Sequence, residues 1–366
     1  MIFMIPIAKP LIDEDEINAV VEVLRSGNIA EGNKVLGFEE AFKEFIAVNH
    51  AVAVNSGTSA LQIALQAAGI GKGDEVITTS FSFIATANSV LYTGAKPVFA
   101  DISRDTFNID PEDVLNRITS RTKAILPVHL YGHPAEMNTL LEIAEDHNLI
   151  LVEDACQAHG AQYHGKKAGS FGIGTFSFYP TKNMTTGEGG MITTNNPEFD
   201  SIARMIRSHG SKQRYLHEML GFNFRMTDIS AAIGLIQIKK LDDFNKKRIN
   251  NAQYLSKRLK NIPGIETPFI REGCTHIFHQ YTIRVTEDCT MKRDNLAELL
   301  KESGIGTGIY YPLPIHKQPY YKKLGYDDTL PETEIAADQV ISLPVHPGLR
   351  QNDLDHIINT CGKLLE

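Results

Sequence analysis

An α/β fold, with a mostly parallel central sheet in a large domain and a small C-terminal α+β domain, is predicted for this chain by three observations. Short β-rich runs alternate with helical runs from about residue 50 onward, hydroxyl, acid and amide side chains gather directly after the predicted strands, and the length is 366 residues. Repeated strand–helix units favour parallel pairing. Open α/β sheets bind ligands just beyond the carboxyl ends of their strands. Single cores stop growing at roughly 250–300 residues, so a second unit is expected.

The alternation opens with a strand at 51–54, a helix at 59–68, a strand at 75–79 and a helix at 84–92. Strands follow at 97–100, 124–128, 149–152, 175–178 and 191–194, with a helix at 135–147 between two of them. Residues 227–260 read as one helix, N-capped by Thr227, with Ile229, Ile233, Ile236 and Leu241 near helical spacing and Pro263-Gly264 beyond its end. The remainder predicts a strand at 280–285, a helix at 293–303, a strand at 308–311 and a final helix at 352–365. The expected division is 1–245 for the large domain and 246–366 for the small one.

Composition narrows the function classes. Lys and Arg number 36 against 44 Asp and Glu, a net charge of -8, and no long basic run marks a surface for nucleic acid or anionic lipid. The four cysteines, Cys156, Cys274, Cys289 and Cys361, are scattered without a Cys-x-x-Cys pair, so neither a metal site nor a disulfide framework is expected and a reducing cytoplasm suits them. The apolar start, Met1 to Leu11, lacks a basic leader and is interrupted by Pro6, Lys9 and Pro10, which does not read as a signal peptide. No run approaches the roughly 20 apolar residues that span a bilayer.

The strand ends carry the chemistry. Asp154 follows the apolar run 149–152, where a carboxylate needs a cationic or hydrogen-bonding partner to offset desolvation. A protonated pyridine nitrogen is one such partner; a turn cap or a metal is another. Lys182 follows a β-rich run and the Pro180 turn, where partial desolvation makes an amine nucleophilic, although a lone lysine is more often a surface residue. Ser177 offers a hydroxyl to a phosphate, and Gly187-Glu188-Gly189-Gly190 gives a turn through which backbone approaches a ligand or simply closes a hairpin. Gly57-Thr58 opens a predicted helix, whose free N–H groups attract phosphate, while Ser56-Gly57-Thr58 also suits a plain N-cap. Phe83 suits either stacking on a cofactor ring or the core.

Ser56-Gly57-Thr58, Glu153-Asp154-Ala155-Cys156-Gln157, Ser177 through Lys182, Gly187 through Gly190, and Gly221-Phe222-Asn223-Phe224-Arg225 together resemble the DegT/DnrJ/EryC1/StrS aminotransferases, in the right order over nearly the whole chain. The resemblance implies the aspartate aminotransferase fold, pyridoxal 5'-phosphate as cofactor and a homodimer with active sites at the subunit interface. It implies a Schiff base on Lys182, Asp154 against the ring nitrogen, Gln157 near the ring hydroxyl and Phe83 over the ring. Gly57, Thr58 and Ser177 would hold the phosphate, with Asn223 reaching in from the partner and Arg225 beside the substrate. In the family's sugar-dehydrating branch the lysine is replaced by histidine; this chain keeps Lys182, so transamination is expected, with L-glutamate as donor.

The run from Tyr310-Tyr311 through His316-Lys317-Gln318-Pro319 resembles the loop that lines the family's sugar pocket, which implies a nucleotide-linked keto sugar, UDP-linked and aminated at C3 or C4. Lys34, in Glu31-Gly32-Asn33-Lys34, suits either an approach to a substrate phosphate or a plain solvated surface position. A nicotinamide oxidoreductase fits poorly, because the first strand–turn–helix, Asn55-Ser56-Gly57-Thr58-Ser59-Ala60, lacks Gly-x-Gly-x-x-Gly. A non-catalytic regulator has no reason to keep Lys182, Asp154 and Ser177 together. The nearer alternative is an aminotransferase or dehydratase acting on a cyclitol or another small keto compound.

Overall fold

The computed structural model describes residues 4–365, so the first three residues of the apolar start lie outside the described chain. Two helices precede the first strand of the central sheet. Asp13 and Glu16 form a reciprocal capping box that starts α1 (Glu14–Ser26), and Gly27 at φ 75° ends it. Next, α2 (Asn33–Ile46) buries Val35, Phe38, Phe42 and Ile46 on one face. Both helices pack along the long helix Asp228–Leu259, which Thr227 caps by accepting the Ser230 N–H.

The central sheet has seven strands. They include β1 (His50–Val54), β2 (Glu75–Thr79), β3 (Lys96–Ala100), β4 (Thr122–Leu126) and β5 (Ile150–Asp154), then Ile173–Ser177 and Gly190–Thr194. Across the sheet the order is β1, Gly190–Thr194, Ile173–Ser177, β5, β4, β2, β3. All neighbours run parallel except that Gly190–Thr194 is antiparallel to both of its own. Strands buried this thoroughly on both faces read as apolar runs rather than alternations, which is why periodicity found them. Between them, α3 (Gly57–Ala67) follows β1 and α4 (Ala85–Tyr92) follows β2.

Aromatic packing joins α2 to the sheet. The Phe42 ring lies 4.9 Å from Phe176 and Phe38 lies 5.2 Å from Phe178. Each such buried ring contributes about 1.5–3 kcal/mol. A second, antiparallel sheet of Ile265–Glu266, Tyr281–Val285 and Val340–Leu343 builds a separate core with Leu296, Leu300, Leu354 and Ile357, which Ile5 joins. The long helix belongs to both cores: Ala231 and Leu241 pack in one, Ala252, Leu255 and Leu259 in the other. Residue 245 lies within it.

One predicted strand is absent. Residues 308–311 make a single bridge, Gly308 to Ser342, and the pairing edge is filled by Val340–Leu343. Pro312 and Pro314 follow at once, and proline neither donates to a ladder nor leaves the residue before it free.

Candidate active site

The carboxyl ends of β1, β2, β5 and Ile173–Ser177 converge on one cleft. Asp154, the last residue of β5, is 4% exposed. One of its carboxylate oxygens accepts the Cys156 N–H at 3.2 Å, and the other accepts the Thr86 hydroxyl at 2.8 Å. The preceding Glu153 is fully buried and turned the other way. It accepts backbone N–H groups of Gly169, Phe171 and Gly172 at 2.7, 2.7 and 2.9 Å and faces His129 Nε2 at 3.0 Å. Adjacent acids of one strand thus serve opposite faces: Glu153 closes a loop, and Asp154 faces the cleft.

Lys182 lies in the turn after Ile173–Ser177, its N–H bonded to the Tyr179 carbonyl at 2.9 Å. Its side chain is partly accessible. Enclosure lowers the proton affinity of its amine, an effect that the Asp154 carboxylate nearby partly opposes. Burial and the Asp154 charge push the Cys156 thiol well up, so it stays protonated beside the lysine.

Gly57 starts α3, and a Cβ there would meet Ser177 Cβ at 2.6 Å and Cys156 Sγ at 3.1 Å. Only glycine allows the helix N-terminus so close to the strand that carries Ser177. Ser56 caps α3 by accepting the Ser59 N–H at 3.1 Å, and Thr58 lies beside it on the first turn. The first amides of a helix have no intrahelical acceptor, so this turn points donors at the cleft. Gly190 has a related reason: a Cβ would lie 2.3 Å from the Ser56 carbonyl. At Gly190, the absence of a side chain lets the protein's own backbone approach itself.

Gln157 accepts the Tyr131 N–H at 2.9 Å and turns its amide nitrogen toward the Tyr311 hydroxyl at 3.4 Å. Phe83 is 56% exposed, and its ring lies 6.3 Å from that of Tyr311. An aromatic left this open at a strand end is not core. The Tyr310 carbonyl accepts the Tyr131 hydroxyl, and burial raises the Tyr311 phenol above its usual value. Lys182, Asp154, Gln157, Gly57, Thr58, Ser177, Phe83, Tyr310 and Tyr311 therefore share one neighbourhood.

Four further expected site residues have contacts of their own. Arg225 pairs with the end of β1 through a bridge to Val54, and its guanidinium lies 3.7 Å from Glu31. Asn223 is exposed two residues before it. Lys34 lies on α2, with its ammonium 3.6 Å from Glu22 of α1. His316 is a correction. Its side chain is 0% exposed, and its ring nitrogen lies 2.7 Å from Ser80 Oγ, which also accepts its backbone N–H at 3.0 Å. The ring pins the 310–319 loop to the end of β2 and presents no surface to a substrate. Thr86 is not singled out by the sequence; its place just after β2, in a run of hydroxyl residues, is the available signal.

The family model for DegT/DnrJ/EryC1/StrS aminotransferases matches residues 10–361. The chain belongs to that family. It is 45% identical to a "pleiotropic regulatory protein" of Geobacillus stearothermophilus over 92% of this chain and 91% of that one. It is 42% identical to the dTDP-3-amino-3,4,6-trideoxy-alpha-D-glucose transaminase of Streptomyces venezuelae, over 93% and 89%. Among solved structures, DesV of S. venezuelae in complex with a ketimine intermediate superposes with a TM-score of 0.92 at 39% identity, covering 98% of this chain and 99% of that one. The fold expected from sequence is thus that of the family, and the chain is an aminotransferase. No helix among the described residues is long and apolar enough to cross a membrane.

Proposed function

We propose that this aminotransferase moves an amino group from L-glutamate to a keto sugar carried on a nucleotide, with pyridoxal 5'-phosphate held by Lys182. The observation that carries the reading is the pairing of a partly accessible amine of lowered proton affinity with the buried Asp154 in one cleft. The residues fit the cofactor. Asp154 already holds two donors from the protein and keeps lone pairs for a ring N–H. The Gly57–Ser177 approach makes a narrow cradle of amides and hydroxyls suited to a phosphate. Gln157 would face the ring hydroxyl and Phe83 its face.

When bound, the cofactor supplies an electron sink for the carbon that loses or gains a proton. Lys182 would act twice: its amine, of lowered proton affinity, would hold the cofactor covalently, and once released the same nitrogen would accept and return a proton. Asp154 would face the ring nitrogen and accept its N–H. Tyr310, Tyr311 and Phe83 offer flat faces and a hydroxyl at the cleft mouth, as a sugar requires. Arg225 would bind an anion of the donor or the sugar, and Lys34 is proposed to approach the nucleotide only by leaving Glu22.

We also propose a homodimer in which Asn223 serves the partner's cofactor. The exposed arm nearby, with Tyr215 82% and Leu220 80% exposed, gives it apolar surface to bury. The substrate test is a panel of UDP-, dTDP- and GDP-linked 3-keto and 4-keto sugars and keto-inositols, each supplied with glutamate and read by mass of the amino product. Amination of a nucleotide sugar is the expected result. Turnover of the inositols alone would replace the sugar with a cyclitol.

A further inference from the structure

Behind Asp154 lies a chain of hydroxyls that the reading above does not use. Thr86, in the first turn of α4, is 1% exposed and gives its hydroxyl proton to Asp154 Oδ2 at 2.8 Å. Ser82, 4% exposed, lies 2.9 Å from the same threonine oxygen. A hydroxyl has one proton, and an ionised carboxylate only accepts. Since the Thr86 proton goes to Asp154, Ser82 must be the donor in the second bond, and the chain runs inward from Ser82 through Thr86 to the acid. Hydrogen bonds linked in this way polarise and strengthen one another where water is excluded.

A threonine in a first helical turn commonly spends its hydroxyl on the local backbone. This one reaches a carboxylate 68 residues away. The Thr86 N–H is bonded to the Phe83 carbonyl at 3.1 Å, so the same short segment fixes the base of Phe83 and the orientation of Asp154. With Cys156 N–H on the other oxygen, the carboxylate is held from two sides and cannot rotate freely about its own axis.

We propose that Ser82 and Thr86 are positioning residues: their hydroxyl relay aims the Asp154 carboxylate at the ring nitrogen of the cofactor and thereby sets how tightly the cofactor is retained. The proposal rests on the pyridoxal-phosphate reading of the cleft. Neither hydroxyl need touch the cofactor; each acts through Asp154.

The test is equilibrium binding of pyridoxal 5'-phosphate to the full-length apoprotein, with the visible absorption band of the bound form recorded alongside. Four proteins are compared: wild type, Thr86→Val, Thr86→Ser and Ser82→Ala. Thr86→Val keeps the shape and removes the proton, and should weaken binding about tenfold and shift the band. Thr86→Ser should restore binding to within about twofold of wild type, and Ser82→Ala should weaken it by roughly threefold. Melting of each apoprotein reports any purely structural effect. Equal binding by wild type and Thr86→Val, or failure of Thr86→Ser to restore it, overturns the relay and leaves the cofactor reading standing. No binding by wild type overturns the cofactor reading itself. Should Thr86→Val fail to fold, Ser82→Ala decides, and unchanged binding by that variant overturns the proposal.

Discussion

Lys182 and Asp154 act through their surroundings more than through their own chemistry. Enclosure lowers the proton affinity of the amine, and two donors hold the acid. Lys182→Ala should therefore abolish turnover, by about 10²–10⁴-fold from lost proton transfer alone and further from the lost covalent link. Its melting temperature should stay within a few degrees of wild type, because the partly accessible side chain contributes little packing. Steady-state kinetics and calorimetry on the purified variant check both halves. Turnover by Lys182→Ala at a rate near that of wild type would remove the lysine from its role. At this scale sequence showed the types and order of the residues but not their partners. Asp154 was legible as a lone acid after a strand, whereas Thr86, 68 residues away, becomes its neighbour only through the parallel pairing of β2 and β4, and of β4 and β5.

At the scale of elements, the strands of the central sheet were legible because burial on both faces leaves continuous apolar runs, and their ends lay within a few residues of expectation. The reading of 308–311 as a strand failed because residues of β character with one bridge and no ladder are not a strand. The loop that follows is held instead by His316 on Ser80 and by the Ile315 N–H on the Ser80 carbonyl at 2.9 Å. His316→Leu keeps bulk but leaves the Ser80 hydroxyl without its ring partner, a cost of about 1–3 kcal/mol. Urea denaturation should show that loss, with KM for the sugar raised because the loop carrying Tyr310 and Tyr311 loosens. Unchanged stability would mean that the loop is held elsewhere. The α1 start is a second check: Asp13→Ala removes a capping box and should cost about 0.5–2 kcal/mol.

At the scale of the whole molecule, buried histidines tie stability to pH. Burial holds the imidazoles of His133, His159 and His346 down from 6.5 to about 4, 3 and 4, and pushes His276 and His279 lower still than their ordinary value. These rings are neutral in the folded chain and take protons near pH 6.5 once unfolded. Below that pH the unfolded chain binds more protons, so stability should fall as pH drops from about 6.5 toward 5, by up to ~1.4 kcal/mol per pH unit for each ring. Denaturation at stepped pH should show the decline, and His159→Phe should reduce its slope by that one ring's share; a flat wild-type profile would contradict the burial of these rings as neutral groups. Shared active sites give a second whole-molecule test. Asn223→Ala and Lys182→Ala subunits, each inactive or weak alone, should regain up to about a quarter of wild-type activity when mixed, because a mixed dimer keeps one intact site. No recovery in verified mixed dimers would assign Asn223 to its own subunit. We further propose that the lobes meet along Asp228–Leu259, near residue 245, since the two halves of that helix pack in different cores.

The most direct test of the central claim is the visible absorption spectrum of the purified protein before and after L-glutamate, recorded beside Lys182→Ala. A yellow band in the wild type that bleaches with glutamate, and that Lys182→Ala does not form, is the predicted result. No visible band in the wild type, even after pyridoxal 5'-phosphate is supplied, would contradict the account at its base.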